Sequence, residues 1–158
     1  MEIRKSSPQD ESAIWEIFRK VIATGDTYVF APDSGIEVFL EHWMRYEPMV
    51  AVQDAEVVGT YIVKPNQLAL GSHVANGSYM VHPDHQGKEI GKEMGLHSLD
   101  HARILGFKAM QFNHVVSTNQ AAVKLWKKIG FRIVGTTPKA FDHSQLGLVD
   151  THIMYREL

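Results

Sequence analysis

The chain has 158 residues, 44% of them hydrophobic and 22% charged, with a formal net charge of -2. This length predicts one domain spanning residues 1–158, and the scattered, balanced charge argues against disorder or a nucleic-acid partner. The chain contains no cysteine, which excludes disulfides and thiol catalysis and favours a cytoplasmic location. The first residues lack the apolar segment of a signal peptide, and no apolar run is long enough for a bilayer, so no membrane association is expected.

The first part of the chain predicts one strand and two helices. Residues 2–5 form a short strand, and Ser7-Pro8-Gln9-Asp10 predicts a helix start with a serine cap and proline at the first helical position. A polar loop over residues 24–33 follows, and Ser34 is expected to cap the second helix. Apolar residues at helical spacing mark the buried faces of both helices: Ile14, Ile17, Phe18, Val21 and Ile22 in the first, and Ile36, Phe39, Leu40 and Trp43 in the second.

The remaining chain alternates strands with two further helices. Asn76-Gly77 interrupts one predicted strand, where the glycine indicates a bulge or a close approach. Gly106 and Gly130 are expected to end the two helices, the second of which begins at Asn119. The predicted strands cover residues 49–52, 57–63, 73–81, 108–116, 131–136 and 149–155, with a loop containing Pro138 and Gly147 before the last. The predicted order is therefore β-α-α-β-β-β-α-β-α-β-β.

A polar loop with two glycines, at residues 82–91, is the most distinctive segment. It joins a strand to a helix, an arrangement that presents several backbone N–H groups to one anion. Gly87 and Gly91 have neither the Walker spacing nor that of the dinucleotide-binding motif. Composition alone is equally consistent with an ordinary loop and helix cap.

Two motifs relate the chain to a known family. The segment Gln86-Gly87-Lys88-Glu89-Ile90-Gly91 resembles motif A of the GNAT superfamily of acyl-CoA N-acyltransferases, whose signature is Arg/Gln-x-x-Gly-x-Gly/Ala. Residues 119–131 resemble motif B, usually Asn-x-x-Ala-x-x-Leu-Tyr followed by Gly-Phe. The resemblance implies an α/β (α+β) GNAT fold. That fold has a mixed, mostly antiparallel twisted sheet of about seven strands, flanked by four helices and splayed between the fourth and fifth strands.

The resemblance also implies that acetyl-CoA is the cosubstrate. Its diphosphate would lie on backbone N–H groups of the loop, and its pantetheine arm would pair with the backbone of Met80 and Val81 and reach Asn119. Glu89 replaces a signature glycine, which is expected to weaken cofactor binding. Trp126 stands where many members carry a tyrosine that protonates the departing thiolate, and indole cannot serve as that acid. The cofactor residues implied are Met80, Val81, Gln86, Gly87, Lys88, Glu89, Ile90, Gly91, Lys92, Asn119 and Trp126.

A narrower resemblance concerns the acceptor. Short segments, among them His73 to Gly77 and Phe112-Asn113, are similar to the branch of fungal N-acetyltransferases that act on azetidine-2-carboxylate and related proline analogues. In that branch, asparagines matching Asn76, Asn113 and Asn119 shape the substrate and catalytic site. Both Asn76 and Asn113 are also consistent with hydrogen bonds to backbone groups at a bulge. The acceptor pocket is further predicted to be walled by three aromatic residues that packing alone would also explain: Tyr28, Phe30 and Tyr61.

These features predict an enzyme that acetylates the amine of a small molecule by direct attack in a ternary complex. The general base is left open between His73, which is equally consistent with a structural role, and a water held by Asn113 and Asn119. His97 and His101 have metal-compatible spacing without a third ligand, so no metal is predicted. A non-catalytic acyl-CoA binding module and a protein or peptide N-acetyltransferase are the alternatives. Dimers are common in the superfamily, so a homodimer is a further expectation.

Overall fold

The computed structural model describes residues 1–158 and contains seven strands and four helices. The strands are β1 (Glu2–Lys5), β2 (Met49–Gln53), β3 (Glu56–Pro65), β4 (Val74–Val81), β5 (Ala109–Val116), β6 (Arg132–His143) and β7 (Gly147–Glu157). The helices are α1 (Glu11–Ile22), α2 (Ile36–His42), α3 (Ile90–Ile104) and α4 (Gln120–Lys128). The strands form one sheet in the order β1-β2-β3-β4-β5-β7-β6. This architecture confirms the predicted element order and fold class.

The strands β4 and β5 are paired only where they begin. Their parallel register holds Val74 against Ala109 and Ala75 against Met110, and every other strand pair in the sheet is antiparallel. Beyond Ala75 the two strands part, which confirms the predicted splay. A gap therefore opens in the middle of the sheet, lined on one side by the backbone of β4.

Helices cover both faces of the sheet. On one face, α1 and α2 bury a cluster that includes Phe18 and Phe39 against Ile62 and Met80. On the other, α3 and α4 bury a cluster that includes Trp126. Because strand side chains alternate between faces, Asn76 lies on the α1–α2 face with Met80. No helix combines the length and the apolar character that crossing a membrane requires.

The start of α2 differs from the prediction. Gly35 occupies the cap position, and the Ser34 hydroxyl donates to the Ala31 carbonyl instead, at 2.7 Å. Only Phe39 is buried within this seven-residue helix, whereas Ile36 and Leu40 are 39% and 42% exposed. The helix packs on the core mainly through Phe39, and the predicted core residue Trp43 is buried just beyond its end.

The end of the chain also differs from the prediction. The segment expected to be a loop forms the outer part of a long hairpin, in which β6 continues to His143. Pro138 is accommodated because the pairing with β7 is irregular between Thr137 and Phe141, where a missing N–H removes no ladder bond. Turn composition alone therefore underestimates the length of both final strands.

Of the two possibilities at Asn76-Gly77, a bulge and a close approach, the structure contains no bulge. The pairing of β3 with β4 is unbroken from Gly59 and Val81 to Pro65 and Ala75. The glycine instead makes room for an aromatic side chain, since a Cβ at Gly77 would lie 2.5 Å from the Tyr79 hydroxyl oxygen. The irregularity near the gap lies in β5, between Phe112 and Val115.

The loop between α1 and α2 is fastened across the gap. The Tyr28 hydroxyl donates to the Tyr79 carbonyl at 2.6 Å and accepts from the Tyr79 N–H at 2.9 Å. Burial raises the pKa of the Tyr28 phenol, so it remains a donor. At the far end of the loop, Ser144 of the β6–β7 turn donates its N–H to the Gly25 carbonyl at 3.0 Å and its hydroxyl to the Thr24 carbonyl at 2.9 Å.

A buried carboxylate joins β1 to the start of α1. Asp10 is 7% exposed and accepts hydrogen bonds from both terminal nitrogens of Arg4, at 2.8 and 3.0 Å. It also accepts from the N–H and hydroxyl of Ser7, at 2.7 and 2.8 Å, so the carboxylate fixes the segment that leads into α1. The hydrogen bonds from Arg4, assisted by Ser7, hold the pKa of the Asp10 carboxyl far below its usual value.

We expect Asp10→Asn to lower the free energy of unfolding by about 2 kcal/mol near neutral pH, since it removes charge-assisted bonds from a buried site. The folded-state pKa is depressed, so the wild-type advantage is complete above the unfolded pKa of about 3.9 and declines as pH falls towards the folded value. Chemical denaturation at about pH 7 and about pH 3 checks this. Asp33→Asn, at an exposed turn, is the control; an equal loss at both pH values would contradict the assignment.

Tyr28→Phe should lower the free energy of unfolding by about 1–3 kcal/mol, because both backbone groups of Tyr79 lose their partner. Thermal and urea denaturation measure the effect. Tyr155→Phe is a matched control that removes a phenol from a ring lying 5.4 Å from the Arg132 guanidinium. Equal stability of wild type and Tyr28→Phe would show that the loop is not held by this phenol.

Candidate functional site

Two cavities meet at the gap between β4 and β5. The first, of about 780 Å³, lies along residues 80–92 and is called the loop cavity. The second, of about 440 Å³, lies between β4, β5 and the α1–α2 loop and is called the strand cavity. Both cavities are lined by one shared wall, which consists of Thr27, Tyr28, Tyr79, Asn119, Ala122 and Trp126. A ligand in one cavity can therefore reach a ligand in the other.

The loop cavity gathers nearly all of the residues predicted to hold the cofactor. Lys88 is the exception and does not line it. Further lining comes from α1 and α4, including Val21, Lys124 and Leu125. The predicted residues that do line it are Met80, Val81, Gln86, Gly87, Glu89, Ile90, Gly91, Lys92, Asn119 and Trp126.

Unpaired backbone donors concentrate at the start of α3. None of the consecutive N–H groups from Gly87 to Lys92 donates to another group of the protein, and the first helical bond is that of Glu93 to Glu89. Gly87 has φ +79, and a Cβ there would meet nothing within 4 Å. The fifteen-residue helix α3 adds the positive end of its dipole. Open donors facing a cavity form a cradle for an anion the size of a diphosphate.

Glu89 adopts a backbone conformation that suits glycine, with φ 59. Its carboxylate turns towards Lys92, whose ammonium nitrogen lies 3.1 and 3.2 Å from the two oxygens, and the Glu89 side chain is 62% exposed. Lys92 lies at the rim of the loop cavity, and without the Glu89 carboxylate its ammonium group would be available to a bound anion.

The backbone of β4 is open to a ligand only at alternate residues. The His82 N–H donates to the Val58 carbonyl, and the Asn66 N–H donates to the Val74 carbonyl. These bonds place the backbone groups of even-numbered β4 residues towards β3. The predicted pairing of an extended arm with the Met80 backbone is therefore wrong, because those groups face β3. Those of Val81 face the gap, as do those of Tyr79, which Tyr28 already occupies.

The start and core of α4 carry two predicted site residues. The Asn119 side-chain oxygen accepts from the Ala122 N–H at 3.2 Å and caps the helix, which leaves its amide nitrogen free at the shared wall. Trp126 is 7% exposed, and its ring centroid lies 4.7 Å from those of both Tyr79 and Phe112. Trp126 is thus mainly a core residue whose edge reaches the cavities.

Two asparagines that line the strand cavity, Asn76 and Asn113, form hydrogen bonds at its edge. The Asn76 amide donates to the Gln111 carbonyl at 3.0 Å. The Gln111 amide donates to the Asn113 oxygen at 3.0 Å, and the Asn113 amide donates to the Asn66 oxygen at 2.7 Å. The structure thus brings the two predicted asparagines to one cavity. Asn66 and Gln111, which sequence reasoning did not select, hold the Asn113 side chain from outside that cavity. Asn76 does bond a backbone group, across the gap rather than at a bulge.

The electrostatic character of the strand cavity is set by a single lysine. No aspartate or glutamate lines the cavity, and Lys64 is its one lysine or arginine. Lys64 lies directly opposite Asn76 in the β3–β4 pairing, so both side chains lie on the same face of the sheet. The Lys64 ammonium lies 4.5 Å from the centre of the Tyr46 ring. The cavity therefore favours a ligand that carries negative charge near Asn76.

The strand cavity is lined by two histidines, which sequence reasoning did not select. His42 lies at the end of α2, and His114 follows Asn113 in β5. His73, one of the two candidates for the base, lies before β4, is exposed and lines neither cavity. No glycine or proline marks the irregularity that positions His114, so the sequence offered no signal for it.

Of the three aromatic residues predicted to wall the acceptor pocket, Tyr28 and Phe30 line the strand cavity. The prediction for Tyr61 is wrong. Tyr61 is fully buried beneath α3, where its hydroxyl lies 2.8 Å from His97 Nδ1 and 3.2 Å from His101 Nδ1. Even-numbered β3 residues face the strand cavity, and Tyr61 therefore points to the opposite face of the sheet.

The comparison with known proteins agrees with this geometry. The family model described as acetyltransferase (GNAT) family matches residues 13–131. A GCN5-related N-acetyltransferase from Kribbella flavida is 38% identical, with a TM-score of 0.94 over 99% of this chain and 97% of that one. Structures of the same fold, 24% and 22% identical to this chain, were solved with acetyl-CoA.

Two relatives are similar in sequence. The L-amino acid N-acyltransferase MnaT of Escherichia coli is 28% identical over 88% of this chain and 84% of its own length. The N-acetyltransferase aca1 of Schizosaccharomyces pombe is 35% identical over 50% of this chain, a match that spans 38% of the yeast protein. The second match agrees with the predicted resemblance to fungal N-acetyltransferases. Acetyl-CoA is the cosubstrate of the matching family, and the chain belongs to the acetyltransferase (GNAT) family.

Proposed function

We propose that this protein transfers an acetyl group from acetyl-CoA to the amine of a small molecule that carries a carboxylate, such as an amino acid or a cyclic imino acid. The observation that carries the proposal is the junction of the two cavities. One offers unpaired backbone donors for a diphosphate, the other is lined by amides and one lysine, and both open on Asn119.

The loop cavity suits acetyl-CoA in size and in chemistry. The diphosphate would accept hydrogen bonds from N–H groups between Gly87 and Lys92, at the positive end of α3. The peptide-like arm would pair with the backbone of Val81 in the gap. The thioester would then lie at the shared wall, within reach of the free amide nitrogen of Asn119.

The strand cavity suits a zwitterionic acceptor. Its volume of about 440 Å³ is in the range of small-molecule sites. Lys64 and the adjacent Asn76 amide would bind the carboxylate, and the absence of any lining carboxylate disfavours polyamines. The E. coli relative is named for L-amino acids, which supports the same acceptor class. Asn113 would orient the amine or donate to the thioester oxygen as charge develops there.

The chemistry is direct transfer in a ternary complex. The free amine attacks the thioester carbon, the C–N bond forms, and the C–S bond breaks. The CoA sulfur can leave as thiolate, because thiols have pKa values near 8.5. The indole of Trp126 supplies no proton, so the thiolate is protonated by the proton that the attacking nitrogen releases.

The acceptor class is tested by thiol release from acetyl-CoA over a panel of amines, with product masses determined. We expect turnover with amino or imino acids, and a loss of at least about tenfold in kcat/KM when the acceptor carboxylate is converted to an amide, since the cation then lacks its partner. In the same assay, Asn113→Ala should reduce turnover and leave the acetyl-CoA Kd unchanged. Tight acetyl-CoA binding without turnover on any amine would instead indicate a binding module.

Glu89→Gly should tighten acetyl-CoA binding by about three- to tenfold, as measured by calorimetry. The substitution places glycine at a left-handed backbone position, which removes the strain that a Cβ causes there, and it frees Lys92 for the diphosphate. Glu89→Gln separates the two causes, because it removes the charge and retains the Cβ. If neither variant changes the Kd, the carboxylate does not act on the bound cofactor.

A further inference from the structure

The amine of an amino acid is mostly protonated near neutral pH, so the reaction requires a group that removes a proton. We propose that His114 is this general base, an assignment that rests on the proposed function. The position of His114 results from an irregularity of β5, which turns two neighbouring side chains to the same face of the sheet.

The direction of His114 follows from the residues on either side. Phe112 and Val115 are 5% and 8% exposed and belong to the same buried cluster beneath α3 and α4. In a regular strand, residues three apart would face opposite sides. Here Phe112 pairs with Met154 and Val115 pairs with His152, so Asn113 and His114 together oppose one residue of β7. Both therefore project towards the α1–α2 face, where both line the strand cavity.

The other titratable groups around the cavity are less suited to the task. Tyr28 and Tyr79 are kept protonated, since burial raises the pKa of each phenol. Lys64 is a cation suited to the acceptor carboxylate. The remaining group is His42, at the end of α2. Its ring lies 5.7 Å from the ring of Phe30, and its Nε2 lies 4.0 Å from the Glu41 carboxylate.

His114 lies beside Asn113 and on the strand that leads to Asn119, and therefore next to the groups assigned to the reacting atoms. It is exposed to solvent. A base in this position can pass its proton to water after each turnover. His42 lies at the end of α2, an element that carries none of these groups.

The proton balance is complete with His114 as base. The imidazole takes one proton from the substrate ammonium, which leaves the nitrogen lone pair free. The nitrogen attacks the thioester carbon, the C–N bond forms, and the C–S bond breaks. The second proton leaves the nitrogen and is taken up by the CoA thiolate, which gives the amide and free thiol. The imidazolium then releases the first proton to solvent.

The test measures kcat against pH, from about pH 5.5 to about pH 9, with acetyl-CoA and the best amine of the panel both saturating. We expect wild-type kcat to fall on the acid side with a slope of one. We expect His114→Gln to lose about 100-fold in kcat near neutral pH and to lose that limb, with the acetyl-CoA Kd unchanged. Added imidazole should restore part of the rate. His73→Gln, outside both cavities, is the control and should retain the wild-type profile.

A His114→Gln enzyme with kcat within about threefold of wild type and the same acid limb would overturn the assignment while leaving the proposed function intact. If His42→Gln loses the acid limb and His114→Gln keeps it, the assignment is likewise overturned, and the base lies on α2. A wild type that turns over no amine would overturn the proposed function and this assignment with it. A circular dichroism spectrum of each variant separates chemistry from unfolding.

Discussion

The parting of β4 and β5 after two residue pairs is the constraint on which the site depends. A sheet that remained paired would satisfy every backbone group of β4 and would leave no room in its centre. Because the strands diverge, the Val81 backbone is open, and the cavities on either side meet at one wall. Tyr28 and the β6–β7 turn hold the covering loop across this opening. The fold therefore supplies a slot for an extended ligand without breaking the hydrophobic layers on either face.

Charge is divided between the two cavities in a way that suits their proposed ligands. At the loop cavity, the attraction for an anion comes from backbone donors and the helix dipole, and the nearby Lys92 is partly engaged by Glu89. In the strand cavity, one lysine faces neutral amides, so a carboxylate finds a cation and a donor together. The same cavity lacks any carboxylate, which leaves imidazole as the chemically suitable proton acceptor.

The sequence predicted what depends on local pattern. Helical spacing and the order of turns were sufficient for the element order, and motif residues such as Gln86 and Asn119 do line the loop cavity. The errors concern features that only tertiary pairing determines. Tyr61 and Lys64 belong to one strand, and the sequence could not say which of them faced the gap. The irregularity in β5 has no glycine or proline to mark it, whereas Asn76-Gly77 carries the usual signal for a bulge and lies in an unbroken pairing.

The most direct test of the account is a crystal structure of the protein with acetyl-CoA. We predict diphosphate oxygens within about 3 Å of backbone nitrogens between Gly87 and Lys92, and the acetyl carbon at the shared wall beside Asn119, facing the strand cavity. A diphosphate bound elsewhere, or an acetyl group that does not reach the junction of the two cavities, would contradict the division of the site into cofactor and acceptor halves.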